Sequence, residues 1–279
     1  MRIGIPNARP ISHEGIRIEH TVTAGYREGQ FVLPGSGILI PMQRSWVTFG
    51  LGVLVTIGSS LLGPTDSLAQ VIKSGPPTCP AVALTFDLCP VQKGPGYDRP
   101  LIDYLVTHHI PATFFMSGNW MAKHEAQVDH LLGTRFFEIG THGAIHAHLP
   151  MHGAEAQRTE MLRPVTFLRE HFAHTATLFR PPYGEYDDVT VATANLLGLQ
   201  FIQWNIESGD PDPTLSAEQI LANVAKRAKP GSIIVFHANG KGKYTKQVIE
   251  QLTTEVLPKK GLRPMTVSEL LSCPLQAHD

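Results

Sequence analysis

Val82-Ala83-Leu84-Thr85-Phe86-Asp87-Leu88-Cys89-Pro90 is the stretch on which the fold turns. Its β-favouring residues predict a strand over 82–86, Asp87 ends that strand with an acid, and Pro90 stops it from running further. Outward from it, short β-rich runs alternate with amphipathic segments to the end of the chain, which predicts parallel strands joined by crossover helices. Seven candidate strands result: 82–86, 112–116, 136–139, 177–179, 200–204, 232–236 and 263–266. Between them Leu101, Ile102, Leu105 and Val106 recur at helical spacing, as do Met161, Leu162, Val165 and Leu168, and Val189, Ala192, Leu196 and Leu197. Ser216 with Gln219 reads as a capping box for a helix carrying Ile220, Val224 and Ala228, and Lys229-Pro230-Gly231 ends it. Seven strands are one short of an eightfold barrel, so a closed or nearly closed β/α barrel competes with an open doubly wound sheet. Both place active sites at the carboxyl ends of strands, and Asp87, His142, Arg180, Glu207 or Asp210, and His237 all fall there.

A formal net charge of -1 and only 17% charged residues exclude a basic surface for nucleic acid and an acidic tail, so a neutral partner is expected. The length and the 42% of hydrophobic residues suit one sizeable core plus extras. Those extras lie at the front. Residues 46–62 form a run of 17 without a formal charge, preceded by Arg44 and followed by Gly63, Pro64 and the small-residue site Ser67-Leu68-Ala69 before Gln70. That is the pattern of a bacterial secretory signal peptide, expected over 42–69 with its start at Met42. Residues 1–41 then read as an upstream extension from a translation start assigned too early, 70–80 as a linker with a flexible 73–77, and 81–273 as the catalytic domain. Gly50, Gly52 and Gly58 and the short run argue against a lasting membrane span, so a secreted or periplasmic protein is expected. Export permits a disulfide among Cys79, Cys89 and Cys273. A strand over 82–87, at about 3.3 Å per residue, would hold Cys79 and Cys89 too far apart to bond. Cys79 with Cys273 is therefore the preferred pair, and Cys89 is left free.

Thr141-His142-Gly143-Ala144-Ile145-His146-Ala147-His148-Leu149-Pro150 carries the densest metal chemistry in the chain. If it turned helical, His142 and His146 would share a face and offer nitrogens to one cation. Asp87 is either a buried partner for Arg180 or a catalytic carboxylate. The loop Arg180-Pro181-Pro182-Tyr183-Gly184 is stiffened by its prolines and can present a backbone N–H as an oxyanion donor. His237, paired with an acid from the stretch 204–210, becomes a plausible general acid.

Over 81–271 the sequence resembles the polysaccharide deacetylases of carbohydrate esterase family four, the NodB homology domain. Five motifs occur in the family's order. Thr85-Phe86-Asp87-Leu88-Cys89-Pro90 is similar to T-F-D-D-G-P, His142-Gly143-Ala144-Ile145-His146 to H-[ST]-x-x-H, and Arg180-Pro181-Pro182-Tyr183-Gly184 to R-x-P-[YF]-G. Asp210-Pro211 resembles the fourth motif without its Trp, and Val235-Phe236-His237 the fifth, L-x-H. The resemblance implies a distorted (β/α)7 barrel and metal-assisted hydrolysis of an N-acetyl group on an amino sugar. It implies that His142 and His146 hold a divalent ion, expected to be zinc, and that Asp87 takes a proton from water while Arg180 orients it. It further implies that His237, tuned by Asp210, protonates the leaving amine, and that the Tyr183 N–H supports the oxyanion.

One departure stands out. The second acid of the first motif, a metal ligand in the family, is here Leu88, which cannot ligate. His148 is the preferred replacement because it keeps the ligand set neutral, with Asp87 and Cys89 behind it. The expected substrate is an N-acetylated glycan, whether chitin-like, peptidoglycan or exopolysaccharide. The competing functions are a carbohydrate-binding protein on the same scaffold and a hydrolase of non-sugar amides. Trp120, Tyr97 and Trp204 are the aromatics that could stack on sugars.

Overall fold

In the computed structural model residues 70–274 are described, and the readings of 1–41 and 42–69 lie outside them. Nine strands follow in chain order: β1 (Val71–Ile72), β2 (Ala81–Leu88), β3 (Ala112–Met116), β4 (Phe137–Thr141), β5 (Leu178–Phe179), β6 (Gln200–Ile202), β7 (Ile206–Glu207), β8 (Ser232–His237) and β9 (Arg263–Met265). The helices are α1 (Arg99–Thr107), α2 (Gly118–Met121), α3 (Glu125–Gly133), α4 (Ala154–Phe172), α5 (Asp188–Leu196), α6 (Ala217–Arg227), α7 (Thr245–Gln251), α8 (Leu257–Lys259) and α9 (Val267–Leu271). All seven expected strands are present, and two short ones, β1 and β7, are added.

Every strand pairing is parallel, in the order β1-β6-β5-β4-β3-β2-β8-β7, with β9 also paired to β2. The sheet curls so that its two edges meet at one crossing of the chain. There the Gln203 N–H donates to Ile72 O on the edge strand β1 (2.7 Å) and the Asn205 N–H to Ile233 O on β8, beside the other edge (3.2 Å). This is the distorted (β/α)7 barrel, closed by a crossing segment instead of a continuous ladder.

The two-residue period of β2 sorts its side chains between two cores. Leu84, Phe86 and Leu88 pack outward with Phe114, Met116, Ile234 and Phe236 beneath the helices. Ala81 and Ala83 turn inward to the smaller cluster of Phe115, Ile202 and Ile233 that fills the barrel. Thr85 and Asp87 continue that inward row.

Local chemistry explains the helix ends. Ser216 and Gln219 make the expected capping box reciprocally, Asp187 and Thr190 make another at α5, and Thr266 and Glu269 a third at α9. The expected face of α5 is wrong. Val189, Ala192 and Leu196 are exposed, whereas Thr190, Val191, Thr193 and Ala194 are buried, because a helix wedged against α4 and β6 needs small side chains for close approach.

The segment 70–80 is not a linker. β1 pairs with β6, Ser74 bridges Ser232, and the Gly75 N–H donates to Gly231 O at 2.8 Å. Backbone hydrogen bonding overrides the flexible composition of 73–77. Cys79 is bonded to Cys273 with Cα atoms 5.9 Å apart, and Cys89 is a buried free thiol. The bridge closes a sequence separation of 194 residues, which restricts the unfolded chain strongly. Cys273→Ser is expected to lower the unfolding free energy by about 2–5 kcal/mol, measured by urea denaturation of variant and parent without reductant. An unchanged midpoint would show that the bridge adds nothing.

Candidate active site

Strand register brings the site together. Asp87 and His237 are paired on β2 and β8, Thr141 at the end of β4 is paired with Phe179 on β5, and His142 and Arg180 follow directly. A cavity of about 300 Å³ opens at these carboxyl ends, lined by Asp87, Cys89, His142, His146, Tyr183, Asp210 and His237 among others.

Arg180 runs through the barrel interior, fully buried. Its Nη1 donates to Asp87 Oδ1 (2.9 Å) and Thr85 Oγ1 (2.8 Å), its Nη2 to Gln203 O (3.3 Å), and its guanidinium lies 4.0 Å from the centre of the Phe115 ring. Burial alone would push the Asp87 carboxyl up, but the charge and hydrogen bond of Arg180, with the charge of His237, hold it below its usual range. Asp87 is thus an ionised carboxylate with one oxygen pinned. Its other oxygen, Oδ2, lies 3.6 Å from His142 Nε2.

His237 has the opposite partner. Its Nδ1–H donates to Asp210 Oδ1 at 2.9 Å, and its backbone N–H to Asp210 Oδ2 at 2.8 Å. Ser208 Oγ and Thr245 Oγ1 donate to the same carboxylate at 3.0 and 2.7 Å. Burial disfavours the charged ring, but the hydrogen bond and charge of Asp210 outweigh it and raise the His237 pKa. Glu207, the alternative acid, is exposed on β7.

The histidine loop is not helical. His142 follows the end of β4 and donates Nδ1–H to Arg180 O (2.9 Å), which fixes the tautomer and leaves Nε2 as a lone-pair donor. The chain then turns through Gly143 at φ +70°, where a Cβ would stand 2.9 Å from Pro182 Cγ. His146, at φ 67°, brings its ring to 4.9 Å from that of His142. Burial lowers the His142 pKa and pushes that of His146 down to about 3. Both rings are therefore neutral at physiological pH.

The donor set fits a divalent cation. Ligand atoms of Cys89, His142 and His146 all lie within 4.8 Å of one another, the one such group of three among the described residues. His148, the expected third ligand, is corrected. Its Nδ1 is bonded to Glu185 Oε2 at 2.7 Å, its side chain is 47% exposed, and its ring stacks on Tyr183 at 4.0 Å. The pull of Glu185 and the apolar face of Tyr183 turn it away from the ligand group.

Tyr183 sits at the mouth with φ 60°, a left-handed conformation within the turn Pro182–Gly184. Gly184 follows at φ +69°, and a Cβ there would meet Trp204 at 2.6 Å, so that turn requires glycine. Tyr183 and Trp204 are the aromatics that line the cavity. Trp120 is fully buried with its Nε1–H on Gly96 O, and Tyr97 packs against it.

With this geometry in place, the chain can be set beside known proteins. A profile of the family described as polysaccharide deacetylase matches residues 74–202. A peptidoglycan-N-acetylglucosamine deacetylase of Bacillus cereus is 32% identical over 192 residues, covering 68% of this chain and 87% of that protein. The chain belongs to the polysaccharide deacetylase family. The chain is accordingly a hydrolase of carbon–nitrogen bonds other than peptide bonds. A crystal structure of a peptidoglycan N-acetylglucosamine deacetylase superposes with a TM-score of 0.67 at 25% identity, over 73% of this chain and 94% of that one. A family four pseudoenzyme from Bacillus anthracis shares the fold, with a TM-score of 0.64 at 22% identity over 73% of this chain and 69% of that one.

Glu160 went unnoticed in the sequence because an acid inside a helix is ordinary. Buried on α4, its Oε2 accepts the N–H groups of Ala144 (3.0 Å) and Ile145 (3.1 Å), and so holds the His142–His146 turn. Glu160→Ala strands both donors and is expected to cost about 1–3 kcal/mol, whereas Glu160→Gln keeps an acceptor and should recover part of the loss. Chemical denaturation of both variants checks this, and equal stability of Glu160→Ala and parent would refute the role.

Proposed function

We propose that this chain is an exported, metal-dependent deacetylase that hydrolyses the N-acetyl groups of N-acetylglucosamine units in peptidoglycan or chitin-like glycans. One observation carries the reading. Asp87 and His237 stand side by side over a single cavity, each tied to a buried partner of opposite charge, next to a cluster of metal-ligating side chains. A carbohydrate-binding protein needs neither pair, and maintaining two buried ion pairs without a catalytic use is costly.

His142 and His146 would hold the cation, with zinc the best fit to imidazole donors. A divalent ion there supplies Lewis-acid polarisation of the amide carbonyl and a more acidic water. The chain's own residues then divide the proton work. Asp87, ionised and held by Arg180, accepts the proton of the attacking water. The Tyr183 N–H donates to the carbonyl oxygen as negative charge develops on it. His237 delivers a proton from its ring to the leaving amine, and Asp210 supports the imidazolium. Acetate and a free amino sugar result.

Acetate release from chitooligosaccharides and peptidoglycan, with and without added metal, tests the reaction. Asp87→Asn should reduce turnover by at least about 10²-fold, as loss of a general base does, while bound metal measured by elemental analysis stays at the parental level. No acetate from any glycan with the metal-loaded parent would sink the substrate reading. Loss of metal in Asp87→Asn would make Asp87 a ligand instead of the base.

Export is supported by the uncharged run 46–62 with its small-residue site and by a disulfide suited to an oxidising compartment. The mature chain is expected to begin near Gln70, so that 1–41 is absent from the product. Amino-terminal sequencing of protein from the native host would contradict this by finding residues upstream of Met42.

A further inference from the structure

The metal-dependent reading leaves one ligand position open, since Leu88 is fully buried in the outer core and His148 is held by Glu185. We propose that Cys89 is the third protein ligand, bound as a thiolate, and that this Cys–His–His site selects zinc or cobalt over hard, oxygen-seeking cations. The proposal rests on the metal-dependent reading and specifies the site behind it.

Strand period makes the first argument. Thr85 and Asp87 point into the barrel and Leu84, Phe86 and Leu88 point out of it, so the next inward position is 89. The backbone there is anchored at three successive carbonyls. Asp87 O accepts the Ala238 N–H (3.2 Å), Leu88 O accepts the Ser117 N–H (3.3 Å), and Cys89 O accepts the side-chain N–H of the buried Asn239 (3.1 Å). A side chain on so fixed a backbone is presented in one place, and that place is the cavity lined also by His142 and His146.

Donor chemistry makes the second argument. His142, 1% exposed, has its Nδ1 engaged with Arg180 O, which leaves Nε2 for the cavity. The sulfur and the imidazole nitrogens lie within 4.8 Å of one another, a group that does not include Asp87, whose Oδ1 is held by Arg180 and whose Oδ2 lies 3.6 Å from His142 Nε2. On binding, the S–H bond breaks, a sulfur–metal bond forms, and one proton is released to solvent. The thiolate brings the same single negative charge that a carboxylate would bring, so the site's charge is kept while its softness changes. Because Cys79 and Cys273 are bonded to each other, Cys89 is the sole free thiol of the chain's three cysteines and is spared from bridging.

The test uses the intact protein, stripped with chelator and loaded with cobalt(II) in the absence of reductant. One equivalent should give a near-ultraviolet thiolate-to-cobalt charge-transfer band together with visible bands of a low-coordinate ion. Cys89→Ser should lose that band and bind zinc at least about 100-fold more weakly, the upper end of what removing even an outer partner costs. Cys89→Asp should lack the band yet hold an ion through its carboxylate, and His148→Ala should keep both band and affinity. Cobalt bound at one equivalent to the parent without the band would overturn the proposal, as would Cys89→Ser binding zinc as tightly as the parent. Should Cys89→Ser fail to fold, the parent's band decides alone, because no other thiol is available. A band without acetate release would sink the substrate reading and leave the ligand assignment standing. Acetate release without the band would do the reverse.

Discussion

The buried pair of Arg180 and Asp87 is the constraint to which the rest of the barrel answers. A guanidinium with no exposure to water must have its charge and donors met from within. Asp87 and Thr85 from β2, the Gln203 carbonyl at the barrel's closing segment and the Phe115 ring from β3 share that task for the two terminal nitrogens, while Nε has no hydrogen-bond partner. The pair therefore ties the middle of the sheet to its seam. It also holds Asp87 as an anion at the floor of the cavity, so one interaction serves both closure of the fold and the charge of the site.

Much of this is legible in the sequence because parallel strands end where chemistry begins. Asp87, His142, Arg180 and His237 each stand at the carboxyl end of a hydrophobic run, and a two-residue period followed by a polar residue is a local signal. Which acid serves His237 is less so, since Asp210 and Glu207 lie three residues apart. The choice is made by Ser208 and Thr245, which donate to Asp210 from a turn and from a distant helix. Partner choice across such separation leaves no trace in spacing.

The histidine run misleads for a related reason. Spacing of four suggests a helix, yet His142 and His146 meet because a glycine and a left-handed histidine turn the chain back on itself. Glu160 holds that turn from another element. His148, nearest in sequence to the pair, is the one that structure removes from it, while Cys89, more than fifty residues upstream, is brought in by the register of β2 against β3 and of β3 against β4. Likewise the apolar periodicity of α5 marks the wrong face, since burial there goes to small residues that permit close approach to α4 and β6. Pattern reports which element forms more faithfully than which neighbour an element meets.

The two histidines His142 and His237 show how partners, not residue type, set the behaviour of a side chain. His142 and His237 lie within the same cavity, and burial disfavours the charge on both. His142 gives its Nδ1–H to a neutral carbonyl, so nothing nearby compensates fully for desolvation and the ring stays neutral with a lone pair to offer. His237 gives its Nδ1–H to a carboxylate that three other donors hold in place, and the ring keeps its proton to higher pH. A cation would be repelled by a charged His142, and only a protonated His237 has a second ring proton to give. Arg180 touches both sides of the site, since its carbonyl takes the proton of the His142 ring while its guanidinium fixes the Asp87 carboxylate that lies between the two rings.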